Sequence, residues 1–146
     1  MAIGTIVGTL ERIQTKQGRP SLVVVKLTCT AGAAGGAAGD HLYPATIIND
    51  LANVVDYDLR GLRLYSCATI PGTTGPTDNS DITLTDRYGI DILAGAGANI
   101  VDNATSNRVV IGCTSAVIIT GDITVNITGN LVDSALTTVI LEFIGI

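Results

Sequence analysis

The sequence predicts an all-β fold, a jelly roll or β-sandwich with one short helix. Apolar and polar residues alternate over several stretches, which is the period of a strand with one buried face. These stretches are rich in Val, Ile and Thr and are separated by clusters of Gly, Pro, Asn and Asp. The 146 residues suit one domain, so we expect a single β-sandwich domain over residues 1–146.

Composition and charge narrow the classes of function. Hydrophobic residues make up 47% of the chain and charged residues 14%, so a folded core is expected and disorder is not. The net charge is −5 and no run of Lys or Arg occurs, which argues against a nucleic-acid partner. No apolar stretch reaches the roughly 18 residues of a transmembrane helix. The N-terminal sequence lacks the basic start and apolar run of a signal peptide, and we expect no membrane partner.

The first two strands are expected to form a hairpin. The alternation over residues 3–7 predicts one strand, and the β-branched segment 21–30 (SLVVVKLTCT) predicts the next. Residues 16–20 supply the Gly and Pro of a turn between them. The segment 31–40 (AGAAGGAAGD) has no side chain large enough to anchor it in a core. We interpret it as a flexible loop or arm that orders against a partner.

A helix is predicted over residues 46–60 (TIINDLANVVDYDLR). Thr46 is suited to cap its start and Gly61 to end it. Its apolar face would consist of Ile47, Ile48, Leu51, Val54, Val55 and Leu59. A further strand is expected over residues 62–70, ended by Pro71 and Gly72.

The stretch 76–99 (PTDNSDITLTDRYGIDILAGAGAN) is predicted to contain a β-hairpin. Its turn would lie at residues 86–89, with Gly89 at the left-handed position that such turns require. The apolar face of the hairpin would consist of Ile82, Leu84, Ile90 and Ile92. Residues 95–99 (GAGAN) are a weak phosphate-binding pattern, because the third Gly and a following helix are missing, and we interpret them as a chain reversal.

The aspartates of this stretch admit two interpretations. One is a calcium site on Asp78, Asp81 or Asp86, but five extended residues hold Asp81 and Asp86 roughly 17 Å apart. The alternating ligands that end in Glu in calcium loops are also missing. The other is turn chemistry, in which Asp86 and Asp91 flank the turn and accept hydrogen bonds from nearby backbone N–H groups. We favour turn chemistry and predict no metal site.

Two more strands are expected in the last third of the chain. Apolar residues occupy every second position from 117 to 127 except at Gly121, which predicts one long strand bent there or two strands joined there. Residues 137–144 (TTVILEFI) predict the last strand. Left exposed, such a strand would be an aggregation-prone edge, so we expect it to be paired internally or covered by a partner.

The residues that carry chemistry are few and scattered. Cys29, Cys67 and Cys113 form no CxxC pair and the only histidine is His41, so a zinc site is poorly supported. We expect buried structural thiols in a chain made in a reducing cytoplasm. His41 follows Asp40 in a Gly/Ala-rich region, and a solvated loop residue is a better interpretation than a catalytic base. We therefore assign no catalytic, cofactor-binding or metal residue and expect no enzyme.

The stretch 76–99, followed by residues 122–130 (DITVNITGN) and a closing apolar strand, resembles small structural proteins of tailed bacteriophages. The shared pattern is P-x-DNxDIxLTDxxGxDxLxGxGAN and then a strand that ends near a TGN turn, and it covers residues 62–144. Capsid cement or decoration proteins, several of which are jelly rolls, are the class that this resemblance favours. No catalytic residues come with this family.

The resemblance implies a virion structural protein that is made in the host cytoplasm and lies on the capsid surface. Its partners would be the major capsid protein and itself, as a homodimer or homotrimer. A phage tail or baseplate accessory protein is one alternative. A carbohydrate- or receptor-binding β-module is another, although its tyrosines are too dispersed to indicate a binding platform: Tyr43, Tyr57, Tyr65 and Tyr88.

Overall fold

The computed structural model describes residues 4–13, 22–35, 40–55, 59–111 and 116–145. Its strands are β1 (Thr5–Ile13), β2 (Leu22–Thr30), β3 (Thr46–Ile47), β4 (Arg63–Pro71), β5 (Asp81–Thr85), β6 (Asn107–Val110), β7 (Thr124–Thr128) and β8 (Leu136–Ile144). One 3-10 helix of three residues, Ile48–Asp50, follows β3. Within the described ranges, no helix has the length and hydropathy needed to cross a lipid bilayer.

The strands form two antiparallel sheets around one core. The five-stranded sheet has the order β1-β2-β8-β4-β6, and the three-stranded sheet has the order β3-β7-β5. Alternate residues of both sheets enter a single hydrophobic cluster, for example Val25 of β2, Leu141 of β8 and Leu84 of β5. The predicted all-β sandwich is therefore confirmed.

The last strand lies in the middle of the larger sheet. β8 pairs with β2 on one side and β4 on the other, so Leu141 stands beside Val25 and Cys67. Val139, Leu141 and Phe143 are fully buried. Burial of side chains of this size stabilises a fold by about 1.5–3 kcal/mol each. The prediction that the apolar C-terminal strand is paired internally is confirmed.

The N-terminal hairpin is also as predicted. β1 and β2 pair over nine residues, from Thr5 opposite Thr30 to Ile13 opposite Leu22. Val23, Val25, Leu27 and Cys29 alternate into the core, which is why the continuous β-branched run forms a strand. The predicted turn at 16–20 and the first residues of the predicted strand, up to residue 3, lie outside the described residues.

The helix predicted over residues 46–60 is wrong for the part that the structure describes. β3 pairs with β7, and the N–H of Ile48 donates to the carbonyl of Ile123 at 2.9 Å. The Asn49 Oδ1 accepts from the N–H of Ile123 at 2.9 Å, which ties this segment to the smaller sheet. Ile, Val, Asn and Asp are poor helix formers, so these long-range bonds outweigh a weak local preference. Residues 56–58 lie outside the described part.

The Gly/Ala segment 31–40 is attached at both of its ends. Ala31 is buried, and its N–H donates to the carbonyl of Ala135 at 2.9 Å. The Gly32 carbonyl accepts from His41 and from Ser134, so its backbone closes the loop. The interpretation of 31–40 as a loop or arm without an anchor in the core is therefore wrong for Ala31. Residues 36–39 lie outside the described residues, and flexibility there stays a prediction.

Two other predicted strands are shorter than expected. Only Thr124–Thr128 of the predicted 117–128 strand is β7, because the backbone of Ile119 bonds instead to Gly61 and Leu62. Val117 is 47% exposed rather than in the core. In the predicted hairpin, β5 and the turn form, but the return stretch has one isolated bridge, from Thr85 to Asp91, and then a series of turns.

Candidate functional site

The aspartates of 76–99 act as acceptors for backbone N–H groups. Asp86 Oδ1 accepts from Tyr88 at 2.8 Å and from Ile90 at 3.0 Å, which closes the turn that Gly89 enters with φ +80°. Asp91 Oδ1 accepts from Leu84 and from Leu93, both at 3.1 Å. The prediction of turn chemistry for Asp86 and Asp91 is confirmed.

The two earlier aspartates join distant loops. Asp81 Oδ1 accepts from the Asn99 N–H at 2.7 Å, and Asp78 Oδ1 accepts from the Asn103 N–H at 3.0 Å. A side-chain hydrogen bond with Asp78 lowers the pKa of Asp102, and backbone N–H donors lower it further. Across the described ranges, no three His, Cys, Asp or Glu residues are placed to hold a metal ion.

The glycine-rich stretch covers the edge of the smaller sheet. Ile82 of β5 donates its N–H to the Gly97 carbonyl at 3.0 Å, and the Leu84 carbonyl accepts from Ile92 at 2.7 Å. Gly97 is required for this approach, because a Cβ there would lie 2.0 Å from the Ile82 carbonyl oxygen. The stretch 91–99 thus satisfies backbone groups on the outer edge of β5. The sequence predicts only a chain reversal for residues 95–99.

The described thiols are buried and inert. Burial raises the pKa of Cys29 to about 12, and burial together with the charge of Asp91 raises the pKa of Cys67 to about 12. Thiolates are the reactive form, so neither residue is a nucleophile at neutral pH. The prediction of buried structural thiols is confirmed for both, and Cys113 lies outside the described residues.

His41 lies in a turn beside a pocket of about 210 Å³. Its side chain is 35% exposed, with Nδ1 at 4.0 Å from Asp133 Oδ1. Asn130 lines the same pocket, but its amide is occupied: it donates to the His41 and Val132 carbonyls and accepts from the Thr77 and Val132 N–H groups. His41 is therefore a partly exposed loop residue whose backbone is part of a loop-joining network.

A second surface is the side of the five-stranded sheet opposite the core, here called the outer face. The strand registers place aliphatic residues on it: Val7, Ile13, Leu22, Val24, Leu136, Ile140, Ile144, Ile70 and Val110. Threonines lie between them: Thr5, Thr9, Thr28, Thr30 and Thr138. None of these residues is fully buried, whereas Ser66 and Ala68 of β4, which lie on the same face, are buried.

Charges on the outer face are few and of both signs: Glu11, Lys26, Arg63, Arg108 and Glu142. Glu142 accepts a hydrogen bond of 2.6 Å from the Ser66 hydroxyl and lies 3.7 Å from the guanidinium of Arg108. Sequence reasoning missed this surface. The signal was present, because the runs LVVV in β2 and VIL in β8 are apolar at consecutive positions, which is typical of strands that are covered on both faces.

The sheet edges differ in how they are protected. β3 has two residues and β6 has four, and short edge strands offer little for another chain to pair with. β5 is covered by residues 91–99. β1 has nine residues at the end of the larger sheet, and within the described part of the chain its backbone bonds only to β2.

Comparisons with protein-family models, with curated proteins and with solved structures found no match to this chain. The fold and the outer face therefore define its class as an all-β sandwich with a partly exposed sheet surface of aliphatic and threonine side chains.

Proposed function

We propose that this chain is a virion structural protein, a capsid cement or decoration protein that stabilises the shell of the major capsid protein by binding alone. The observation that carries the proposal is the outer face, whose aliphatic and threonine side chains lie on five paired strands. The resemblance of residues 76–99 and 122–130 to small tailed-phage structural proteins supports the same class.

The physical case is that such a surface suits adhesion between proteins. The cores of protein interfaces are depleted of charge, and their affinity comes from closely packed apolar area with hydrogen bonds around it. Thr138 of β8 lies near the middle of the outer face, between Thr28 of β2 and Ile70 of β4. Because β8 is held by β2 and β4, the surface is ordered before it binds and loses little entropy on docking.

The proposed place of action is the capsid surface, after synthesis in the host cytoplasm. A cement protein uses one patch repeatedly across a symmetric lattice, which favours a homodimer or homotrimer. We propose no enzymatic activity, cofactor, nucleic-acid partner or membrane partner.

The test is co-sedimentation of the purified chain with capsids that lack it. Thr138→Lys places a charge between Thr28 and Ile70, where no carboxylate lies directly opposite, and we expect it to weaken capsid binding roughly tenfold or more. Thr83→Lys is the matched control, because Thr83 lies on β5 of the other sheet and is also only partly buried. Circular dichroism would verify that both variants are folded.

Particles without the chain are expected to assemble but to burst at a lower temperature than complete particles. Equal capsid binding by wild type and Thr138→Lys would eliminate the outer face as the docking surface. Particles that keep their heat stability but fail to build a tail would replace the cement proposal with the tail or baseplate accessory alternative. Binding to a glycan array without binding to capsids would favour the carbohydrate-binding alternative.

A further inference from the structure

The nine-residue edge of β1 is the one long sheet edge that the described structure leaves uncovered. Long exposed edges pair readily with other strands, and proteins that stay monomeric shorten, cover or charge them. This protein does so at its other edges: β3 and β6 are short, and Gly97 allows residues 91–99 to cover β5. The contrast indicates that the β1 edge is kept open for a partner strand.

We propose that β1 pairs antiparallel with β1 of a second copy, across a two-fold axis beside Leu10. The two five-stranded sheets would then form one continuous sheet of ten strands. Strand addition of this kind uses main-chain hydrogen bonds for affinity and side-chain pairs for register. The proposal does not rest on the proposed function, because it concerns the isolated chain.

Side-chain matching selects this register. Val7 and Ile13 are exposed, at 61% and 39%, and lie on the outer face. Antiparallel pairing about Leu10 sets Val7 opposite Ile13 of the second copy and Thr9 opposite its Glu11. Each apolar side chain then meets an apolar one, and each carboxylate meets a hydroxyl, at a Cβ separation of about 5 Å.

Other two-fold registers match less well. Pairing about Glu11 opposes two glutamates, and like charges directly across a ladder are destabilising. Pairing about Thr9 sets Val7 opposite Glu11 and Thr5 opposite Ile13, which leaves both apolar residues against polar ones.

The experiment is sedimentation equilibrium of the full chain and of three variants. Wild type is expected to dimerise, and Thr9→Glu to raise the dimer Kd roughly five- to tenfold, because the symmetry creates two like-charge pairs. Lys26 lies beside Thr9 on β2, so the monomer tolerates the new carboxylate. Glu11→Lys alone is expected to change the Kd little, and the double variant Thr9→Glu/Glu11→Lys to restore it, since each new Glu then meets a new Lys.

A control and a cross-link make the test specific. Thr28→Glu adds the same charge on the outer face of β2, next to Val7 but away from the edge, and is expected to leave the dimer unchanged. A mixture of Thr9→Cys and Glu11→Cys chains should form a disulfide-linked dimer faster than either chain alone. A wild type that stays monomeric at about 100 μM, or a dimer weakened by Thr28→Glu and not by Thr9→Glu, would overturn the proposal. A dimer that forms while capsid binding fails would leave it standing and reject only the proposed function.

Discussion

At the scale of single residues, the short polar side chains of this protein serve mainly to satisfy backbone groups. Asp91 illustrates this role, because its two oxygens accept from three N–H groups, those of Leu84, Leu93 and Gly95. The first belongs to β5 and the other two to the turns that follow. Bonds to a charged acceptor are about twice as strong as bonds between neutral groups, so one aspartate joins the strand to its covering loop.

The two described thiols give a pH dependence that is specific to this core. Burial raises the pKa of Cys29 and Cys67 from 9.0 to about 12. Below pH 9 both the folded and the unfolded chain hold these protons, so stability is unaffected. Above pH 9 the unfolded chain releases them while the folded chain keeps them, so stability falls as the pH rises from 9 towards 12. We expect the free energy of unfolding, measured with urea, to fall by about 2–3 kcal/mol between pH 8.5 and pH 10.

The control for this prediction is Cys67→Ala. The variant should be less stable at every pH, because the missing sulfur leaves a cavity. Its free energy of unfolding should fall about half as much as that of wild type between pH 8.5 and pH 10, since only one of the two thiols remains. An equally steep loss in wild type and variant would show that other groups, such as the buried Tyr43 phenol, cause the alkaline unfolding.

At the scale of elements, the stretch 91–99 is organised by its contact with β5. Its turns are stabilised locally by bonds such as Ala94 N–H to the Asp91 carbonyl and Ala96 N–H to the Leu93 carbonyl. Gly97 is where its backbone approaches β5 most closely. The glycines of this stretch therefore have different roles. Gly95 adopts a positive φ and has open space around it, whereas Gly97 is needed because a side chain there would collide with the backbone of β5.

Gly97→Ala is expected to destabilise the fold by about 2–4 kcal/mol, because the added methyl group pushes the stretch away from β5 and breaks the bond from the Ile82 N–H. Urea unfolding measures the loss. Gly95→Asn is the matched control, since Asn tolerates a positive φ, and it should cost less than about 1 kcal/mol. Similar costs for the two variants would contradict the assignment of an edge-covering contact to Gly97.

At the scale of the whole molecule, the sandwich is expected to be stable without metal ions. The carboxylates that sequence patterns offer as calcium ligands, Asp78, Asp81 and Asp86, each accept backbone N–H groups instead. We expect the melting temperature to change by less than about 2 °C when EDTA is added, within the error of such a measurement. A fall of more than several degrees, reversed by added calcium, would mean that these oxygens also bind a cation.

The elements that could be predicted from sequence are those whose patterns are local. The hairpin of β1 and β2, the strand β4, the turn at residues 86–89 and the strand β8 follow from alternation, β-branched residues and turn residues. The helix predicted over 46–60 failed because six apolar residues at helical spacing also suit a segment that packs irregularly on the core. In the predicted strand region 117–128, the part after Gly121 formed as β7, but the part before it did not, because alternation does not reveal which partner the backbone will bond to.

The sequence by itself determined the class of fold, the burial of Cys29 and Cys67, and the use of aspartates as turn acceptors. Each of these depends on interactions between residues that are near in sequence, or on hydrophobicity alone. Only the tertiary structure decided that β8 is central, that residues 91–99 cover β5, and that the described residues leave the β1 edge and part of the outer face uncovered. These features depend on which strands become neighbours, and that choice is made by long-range backbone pairing around a shared core, which no local pattern records.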